Sequence, residues 1–256
     1  VMIGVNSNVN ALLIDIGNTS LKWAWLTEAG LSPVERVAHG EMDGRFPDTC
    51  WSDQTPSSQV LIANVASFEL EELICEWIKN KWAIEPAVVR VTATALGVTN
   101  AYSDPRKLGI DRWLALIAVH QQMSGDVCIV DCGTAITIDV IDNQGRHQGG
   151  LILPGFNLMR EALLDKTRIP WTELAQPEGF LGKDTAGCIA SAALYSAVTL
   201  IDRVVVVTAQ QRGVRPSLVL TGSDAGLLSG ALDSPYEVIP DLVMRGLGCL
   251  VMGGGL

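Results

Sequence analysis

Leu12-Leu13-Ile14-Asp15-Ile16-Gly17-Asn18-Thr19-Ser20 is an apolar strand that ends in Asp-x-Gly and runs directly into small polar residues. The pattern returns in altered form at Cys128-Ile129-Val130-Asp131-Cys132-Gly133-Thr134-Ala135, and each copy is followed by a second alternating strand. Such a segment describes a strand, a tight bend and a returning strand, with one carboxylate at the bend. The glycine permits a backbone that a Cβ would obstruct and lets a ligand approach the main chain closely. Amides and hydroxyls of Asn18, Thr19 and Thr134 can then face phosphate oxygens, with Asp15 and Asp131 available to a metal ion. A single Asp-x-Gly occurs in many ordinary turns. Two copies in matching strand contexts point to a duplicated fold with a nucleotide held between the halves.

The rest of the chain supports a repeat of strands, helix and strand. Residues 11–27 read as a hairpin, with Leu21, Trp23 and Trp25 on one face and Lys22 and Ala24 on the other. Residues 28–58 are rich in turn formers, with a short strand expected near Glu35–His39. Val60 to Val65 is an apolar strand. A helix follows, with Leu70, Leu73, Ile74, Trp77 and Ile78 at helical spacing and acids in its first turns. Ala87 to Val91 is a further strand. Tyr102 to Leu108 is an irregular loop that leads into Gly109-Ile110-Asp111-Arg112 and an apolar helix stopping near Gly125. The second half starts again with a strand at Asp126–Asp131, a partner from Ala135 to Asp142, and a turn at Asn143-Gln144-Gly145. A third strand with Gly149-Gly150-Leu151-Ile152-Leu153-Pro154-Gly155 and a helix through Leu164 follow. Residues 166–184 read as a loop, after which Asp184 or Thr185 caps a long apolar helix to about Gln211. A strand at Ser217–Thr221 and a final helix from about Asp241 to Met252 close the chain. The expected class is α/β with mixed sheets flanked by helices. No low-complexity linker separates the halves, and the boundary is placed near Ser124-Gly125, giving domains 1–124 and 125–256.

Bulk properties narrow the function. At 256 residues, nearly half of them apolar, each half can bury a core of its own. A net charge of −10 with no basic cluster argues against nucleic acid or an anionic membrane as partner. Asp202 and Arg203 interrupt the best candidate for a membrane span, Leu200 to Val207, and no secretory signal is legible. The starting Val1-Met2 reads as a trimmed or engineered start. Six cysteines without a Cys-x-x-Cys pair fit neither a zinc site nor a disulfide framework and read as reduced cytosolic residues. Cys132, inside the second bend, is open to two readings: a reactive thiol or, more commonly for such a residue, a small buried one. Three histidines leave little material for histidine-based metal or triad chemistry.

The usual nucleotide signatures are absent. Gly182-Lys183-Asp184-Thr185 lacks the spacing of a P-loop, and no Gly-x-Gly-x-x-Gly follows a strand. A phosphate site must therefore be built from the two hairpins. Gly109-Ile110-Asp111-Arg112 is the third constellation. A carboxylate at a helix start is held ionised by the free amides and can accept the proton of an attacking hydroxyl. So weak a base suffices for phosphoryl transfer, where the transition state is loose. Arg112 beside it can clamp a substrate carboxylate with paired hydrogen bonds. Taken alone, the same residues describe an N-cap aspartate followed by a solvated arginine.

Five segments occur together and in order: Asp15-Ile16-Gly17-Asn18-Thr19, Leu108-Gly109-Ile110-Asp111-Arg112, Asp131-Cys132-Gly133-Thr134-Ala135, Gly149 to Gly155, and Gly182-Lys183-Asp184-Thr185. With Thr221-Gly222 continuing the match, the chain resembles the type III pantothenate kinases, which include Bvg accessory factor-like proteins. They lie within the acetate and sugar kinase, Hsc70 and actin superfamily. The resemblance implies duplicated RNase H-like, actin-like ATPase domains and ATP-dependent phosphorylation of pantothenate at its primary hydroxyl, the first step of coenzyme A biosynthesis. It implies that Asp15, Ile16, Gly17, Asn18, Thr19, Ser20, Leu21 and Lys22 form the first phosphate-binding hairpin and that Thr134 contacts ATP from the second. Asp111 would be the proton acceptor. Asp131 would hold an activating monovalent cation, potassium or ammonium, and Asp15 would organise Mg2+. Tyr102, Gly109, Ile110, Asp111, Arg112 and Thr185 would line the pantothenate pocket. A cytoplasmic homodimer, with the acceptor pocket near the subunit interface, is also implied. The helix containing Asp111 and the helix after Thr185 are apolar around most of their circumference, which suits either a dimer interface or burial between sheets. One departure is Ser223 in Thr221-Gly222-Ser223, where the family usually has a second glycine; it adds bulk near the adenosine side.

Two rival functions are compatible with the same fold. One is a regulatory binding protein without catalysis; the other is a different phosphotransferase or a polyphosphate hydrolase of the superfamily. A pure regulator has no chemical need for Asp111 and Asp131 together. Phosphoryl transfer to pantothenate against phosphate release from ATP or polyphosphate separates the second.

Overall fold

The computed structural model describes residues 9–42, 46–52, 54, 58–169, 177 and 179–254. They form two compact units, Val1–Met123 with Asp241–Leu256, and Ser124–Pro240.

In the first unit the order along the chain is β1 (Asn10–Ile16), β2 (Ser20–Thr27), β3 (Gly30–Leu31), β4 (Glu35–Ala38), α1 (Phe46–Trp51), β5 (Gln59–Asn64), α2 (Phe68–Trp82) and β6 (Ala87–Val88). A two-residue hairpin of β7 (Thr94–Ala95) and β8 (Val98–Thr99) precedes α3 (Ile110–Gln122). The sheet runs β3-β2-β1-β5-β6, with β4 also on β2. β2 is antiparallel to β1, whereas β5 and β6 are parallel. Every residue from Ala11 to Ile16 is buried, as a central strand covered on both faces requires. Ala24 and Leu26 of β2 are buried as well, so the second face of that strand is covered too.

The second unit repeats this plan. It contains β9 (Val127–Cys132), β10 (Ala135–Ile141), β11 (His147–Pro154), α4 (Phe156–Lys166), α5 (Thr185–Arg212), β12 (Ser217–Thr221), α6 (Ala225–Leu228) and β13 (Tyr236–Val238). Its sheet runs β11-β10-β9-β12-β13, antiparallel through the first three strands and parallel thereafter. Both sheets therefore carry one topology, a three-strand meander continued by parallel strands from its first member. This is the duplicated RNase H-like, actin-like fold. The meander's first bend joins β1 to β2 in one unit and β9 to β10 in the other, so the two Asp-x-Gly bends are topological equivalents.

The short elements β3, β7, β8, α6 and β13 are not expected from the sequence, and two longer elements also differ from the expectation. The last helix, α7 (Leu242–Gly253), lies in the first unit, whereas the expected second domain ran through residue 256. It packs on α3 and β1, and Gly246 brings its backbone against Leu114, whose carbonyl oxygen a Cβ there would strike. The second element is α1, whose Phe-Pro-Asp-Thr-Cys-Trp sequence has weak helix propensity. Phe46 and Trp51 stack edge to face with Trp23 at centroid distances of 6.0 and 5.8 Å, and burial of these rings offsets the poor local preference.

α5 begins at Asp184, whose Oδ1 accepts from Gly187 N–H at 2.7 Å, and ends at Gly213 in the left-handed region. Its 28 residues make it long and apolar enough, by length and composition alone, to cross a membrane, contrary to the sequence reading that stopped at Asp202-Arg203. Ile189, Ala193, Ala197, Ile201 and Val205 nevertheless form a buried stripe at four-residue intervals within the second unit. α3 is buried at Ile110 and continuously from Arg112 to Val119, so its apolar circumference is used inside its own unit. Of the expected loop at 166–184, Lys166 is the last residue of α4, residues 167–169, 177 and 179–184 carry neither helix nor strand, and residues 170–176 and 178 lie outside the described residues.

Candidate active site

Asp15 occupies the penultimate position of β1, opposite Lys22 on β2 and beside Ala63 on β5, and is only 6% exposed. Ile16 and Leu21 next to the bend are buried in the core and anchor it. Gly17 N–H donates to Ser20 O at 3.1 Å, and a Cβ on Gly17 would stand 3.1 Å from that same oxygen. Asn18 and Thr19 are exposed at the tip, Ser20 is buried and Lys22 half-buried. Neighbours hold the bend on two flanks. His39, just past β4, donates from Nε2–H to Gly17 O at 2.7 Å and from its main-chain N–H to Thr19 O at 3.1 Å. On the β5 side, Val65 N–H donates to Ile16 O at 3.0 Å. The loop after β5 is itself fixed by Asn64, whose amide donates to Ser67 O and to the buried Glu71 carboxylate at 3.0 and 2.8 Å. Sequence reasoning singled out neither His39 nor Asn64. The β2–β4 and β1–β5 pairings bring them to the bend, and no local motif marks either residue.

The Gly109–Arg112 constellation lies in the same unit. Gly109, not Asp111, is the N-cap of α3, and its carbonyl accepts from Trp113 N–H at 3.0 Å. Asp111 is half-buried in the first turn, with Oδ1 accepting from Arg112 N–H at 2.8 Å. A Cβ on Gly109 would collide with that Oδ1, so glycine there is what leaves Asp111 its room. Arg112 is not solvated: it is 6% exposed, and its Nη1–H donates to Tyr102 Oη at 3.0 Å. The guanidinium carbon lies 5.9 Å from the Tyr102 ring centroid. Tyr102 is placed in turn by its N–H on Asn100 Oδ1 at 2.9 Å, and Leu108 and Ile110 are buried behind the pair. A buried guanidinium held in one orientation is chemically suited to receive a carboxylate through paired hydrogen bonds.

In the second unit Asp131 holds the position on β9 that Asp15 holds on β1, between Thr137 on β10 and Thr221 on β12. Gly133 N–H donates to Ala135 O at 3.0 Å, closing the bend, and the exposed Thr134 accepts from Gly155 N–H at 3.0 Å. Gly155 packs so tightly that a Cβ would strike the carbonyls of Gly133 and Thr134. Gly222 has a φ of +91°, and a Cβ on it would meet the Cys132 carbonyl and the Asp131 carboxylate. The glycine requirement after β12 therefore falls on Gly222. Ser223, which departs from the family pattern, turns its hydroxyl to Asp224 Oδ1 at 3.2 Å. Thr185 is the exposed first residue of α5, immediately after its Asp184 cap. Cys132 is fully buried; burial, helped by the charges of Asp131 and Asp224, pushes its thiol up to about 12, so it is inert.

No group of three or more His, Cys, Asp or Glu side chains gathers among the described residues to cage a metal. Single carboxylates suit Mg2+ that keeps its waters and is held chiefly by substrate phosphates. The Asp131 carboxylate beside a main-chain carbonyl offers the hard oxygen donors that a monovalent cation takes.

The sequence matches the family described as Type III pantothenate kinase over residues 11–207. Among curated relatives, the type III pantothenate kinase of Nitrosococcus oceani is 40% identical over 92% of this chain and 91% of its own length. That of Laribacter hongkongensis is 36% identical over 92% and 96%. A solved structure of a conserved Baf family protein from Campylobacter jejuni has a TM-score of 0.59 at 23% identity, covering 95% of this chain and 98% of that one, and supports the fold.

Proposed function

The chain belongs to the type III pantothenate kinase family, and from that premise we propose that it transfers the γ-phosphoryl group of ATP to the primary hydroxyl of pantothenate, yielding 4'-phosphopantothenate for coenzyme A synthesis. The observation that carries this reading is the start of α3, where a carboxylate and a buried, tyrosine-held guanidinium occupy adjacent residues. Pantothenate presents a carboxylate to Arg112 and a hydroxyl to Asp111. Asp111 accepts the hydroxyl proton as that oxygen bonds to the γ-phosphorus and the bond to the ADP oxygen breaks. Tyr102, which holds the Arg112 guanidinium, belongs to the same acceptor site. In the first unit the Asp15–Lys22 hairpin binds ATP phosphates through amides, hydroxyls and the Lys22 ammonium; in the second, the exposed Thr134 at the equivalent bend is a further ATP contact. Asp15 would hold a hydrated Mg2+, which would supply charge neutralisation for the phosphates, and Asp131 would hold potassium or ammonium.

A coupled ADP-release assay with Mg-ATP tests this, run with and without pantothenate and in potassium against sodium. Turnover that requires pantothenate and rises in potassium is expected. Phosphate release from ATP or polyphosphate without pantothenate would replace the kinase by a hydrolase, and no turnover from folded protein would favour a regulatory binding protein.

The protein acts as a homodimer in the cytoplasm. Exposed apolar residues of the second unit support self-association: Leu151 and Ile152 on the edge strand β11, Leu158 and Leu163 on α4, and Phe180 and Leu181 before α5. Sedimentation at micromolar concentration should give a dimer that Ile152→Asp weakens; a stable wild-type monomer would remove this part of the reading.

A further inference from the structure

We propose that His39 is a positioning residue for the triphosphate of ATP, acting through the Asp15–Ser20 bend without touching the nucleotide. This rests on the kinase reading and adds a residue to its phosphate site. The geometry carries it. His39 makes two bonds to the bend, its Nε2–H on Gly17 O at 2.7 Å and its main-chain N–H on Thr19 O at 3.1 Å. A carbonyl oxygen only accepts, so Nε2 carries the proton in this arrangement. In a trans peptide, C=O and the following N–H point in opposite directions. With the Gly17 and Thr19 carbonyls drawn toward His39, the N–H groups of Asn18 and Ser20 are aimed to the far side of the bend. That converts a flexible glycine turn into a preset pair of donors for phosphate oxygens.

The rest of the local structure is consistent with a brace. Ser20 pairs with Ala38 at the end of the β2–β4 ladder, which delivers His39 to the bend. A short 3-10 turn, His39–Glu41, follows, and Glu41 Oε2 accepts from Ala38 N–H at 3.4 Å. His39 is half-buried, so its ring is shielded on one side while the bend tip at Asn18 and Thr19 stays exposed for a ligand. Gly17 has no side chain to limit its own carbonyl, and an external donor is what selects one orientation.

The test compares wild type, His39→Ala and His39→Gln, the glutamine placing an amide N–H where Nε2 was. Mg-ADP and Mg-ATP affinities are measured by titration calorimetry, and KM values for ATP and pantothenate by steady-state kinetics. Loss of one N–H···O brace predicts about tenfold weaker nucleotide binding and a similar rise in the KM for ATP for His39→Ala. The pantothenate KM and the melting temperature should stay near wild type, and His39→Gln should recover most of the nucleotide affinity. Unchanged nucleotide affinity in His39→Ala, an equal rise of both KM values, or no recovery in His39→Gln would overturn the assignment. The calorimetry needs no turnover. A wild-type protein that binds nucleotide but does not phosphorylate pantothenate therefore sinks the kinase reading alone, while His39 stands or falls on the binding data.

Discussion

Asp111→Asn is expected to lower kcat by about a thousandfold or more while the protein remains folded, because general-base assistance is worth roughly 10²–10⁴ in rate. The substitution preserves the shape of the side chain and an Oδ1 able to accept from Arg112 N–H, the bond that Asp111 makes at 2.8 Å. It removes only the charge and the capacity to take a proton. The pantothenate KM should move little, since Arg112 and its bond to Tyr102 remain. Steady-state kinetics with a parallel thermal melt separate the outcomes. Near wild-type turnover would take Asp111 out of the role of base, and lost activity with a lowered melting temperature would point to a structural role.

Asp142→Ala is expected to destabilise the protein by about 3 kcal/mol, because it strips the acceptor from several donors at once. The Asp142 side chain is fully buried at the turn between β10 and β11. It accepts from the main-chain N–H groups of Gln144 and Arg146, each at 2.9 Å, and from the Arg146 guanidinium at 2.8 Å. Arg212, at the end of α5, reaches the same carboxylate at 3.4 Å and the buried Asp126 at 2.6 Å. Burial pushes the Asp142 carboxyl up, but the hydrogen bonds from Arg146 and Gln144 outweigh it and hold it below the ordinary carboxylate value. A carboxylate depressed in the folded state stabilises above its unfolded pKa and loses that contribution as pH falls through the folded value. Wild type and Asp142→Ala should therefore differ most above about pH 4 and converge at lower pH. Urea denaturation across that range measures both effects; equal stability at neutral pH would show that the cluster contributes nothing net.

The strands leading into each bend were legible because a continuous apolar run, Leu12 to Ile14 in one and Cys128 to Val130 in the other, is buried on both faces and ends in Asp-x-Gly, a bend that a bulkier sequence could not make. β1, β9 and the start of α3 all fall where residue pattern alone puts them. Arg112 was ambiguous as a sequence, since an arginine after a helix N-terminus is usually solvated. Only the loop that returns Tyr102 to its guanidinium makes it a buried, oriented group. α1 was illegible for a different reason: Phe46 and Trp51 form a helix by filling space against Trp23, against their neighbours' propensity.

What the sequence determined by itself was the duplication, the two carboxylate-bearing bends, the Gly109–Arg112 constellation and, through them, the family. These depend on residues close together along the chain, whose backbone conformation and side-chain spacing are set locally. Tertiary structure alone decided that α7 joins the first unit, that Gly222 rather than its neighbour must be glycine, and that His39 braces the first bend. Each of these rests on a contact between segments far apart in the chain, formed when strand pairing and helix packing bring their backbones together, and no local periodicity records it.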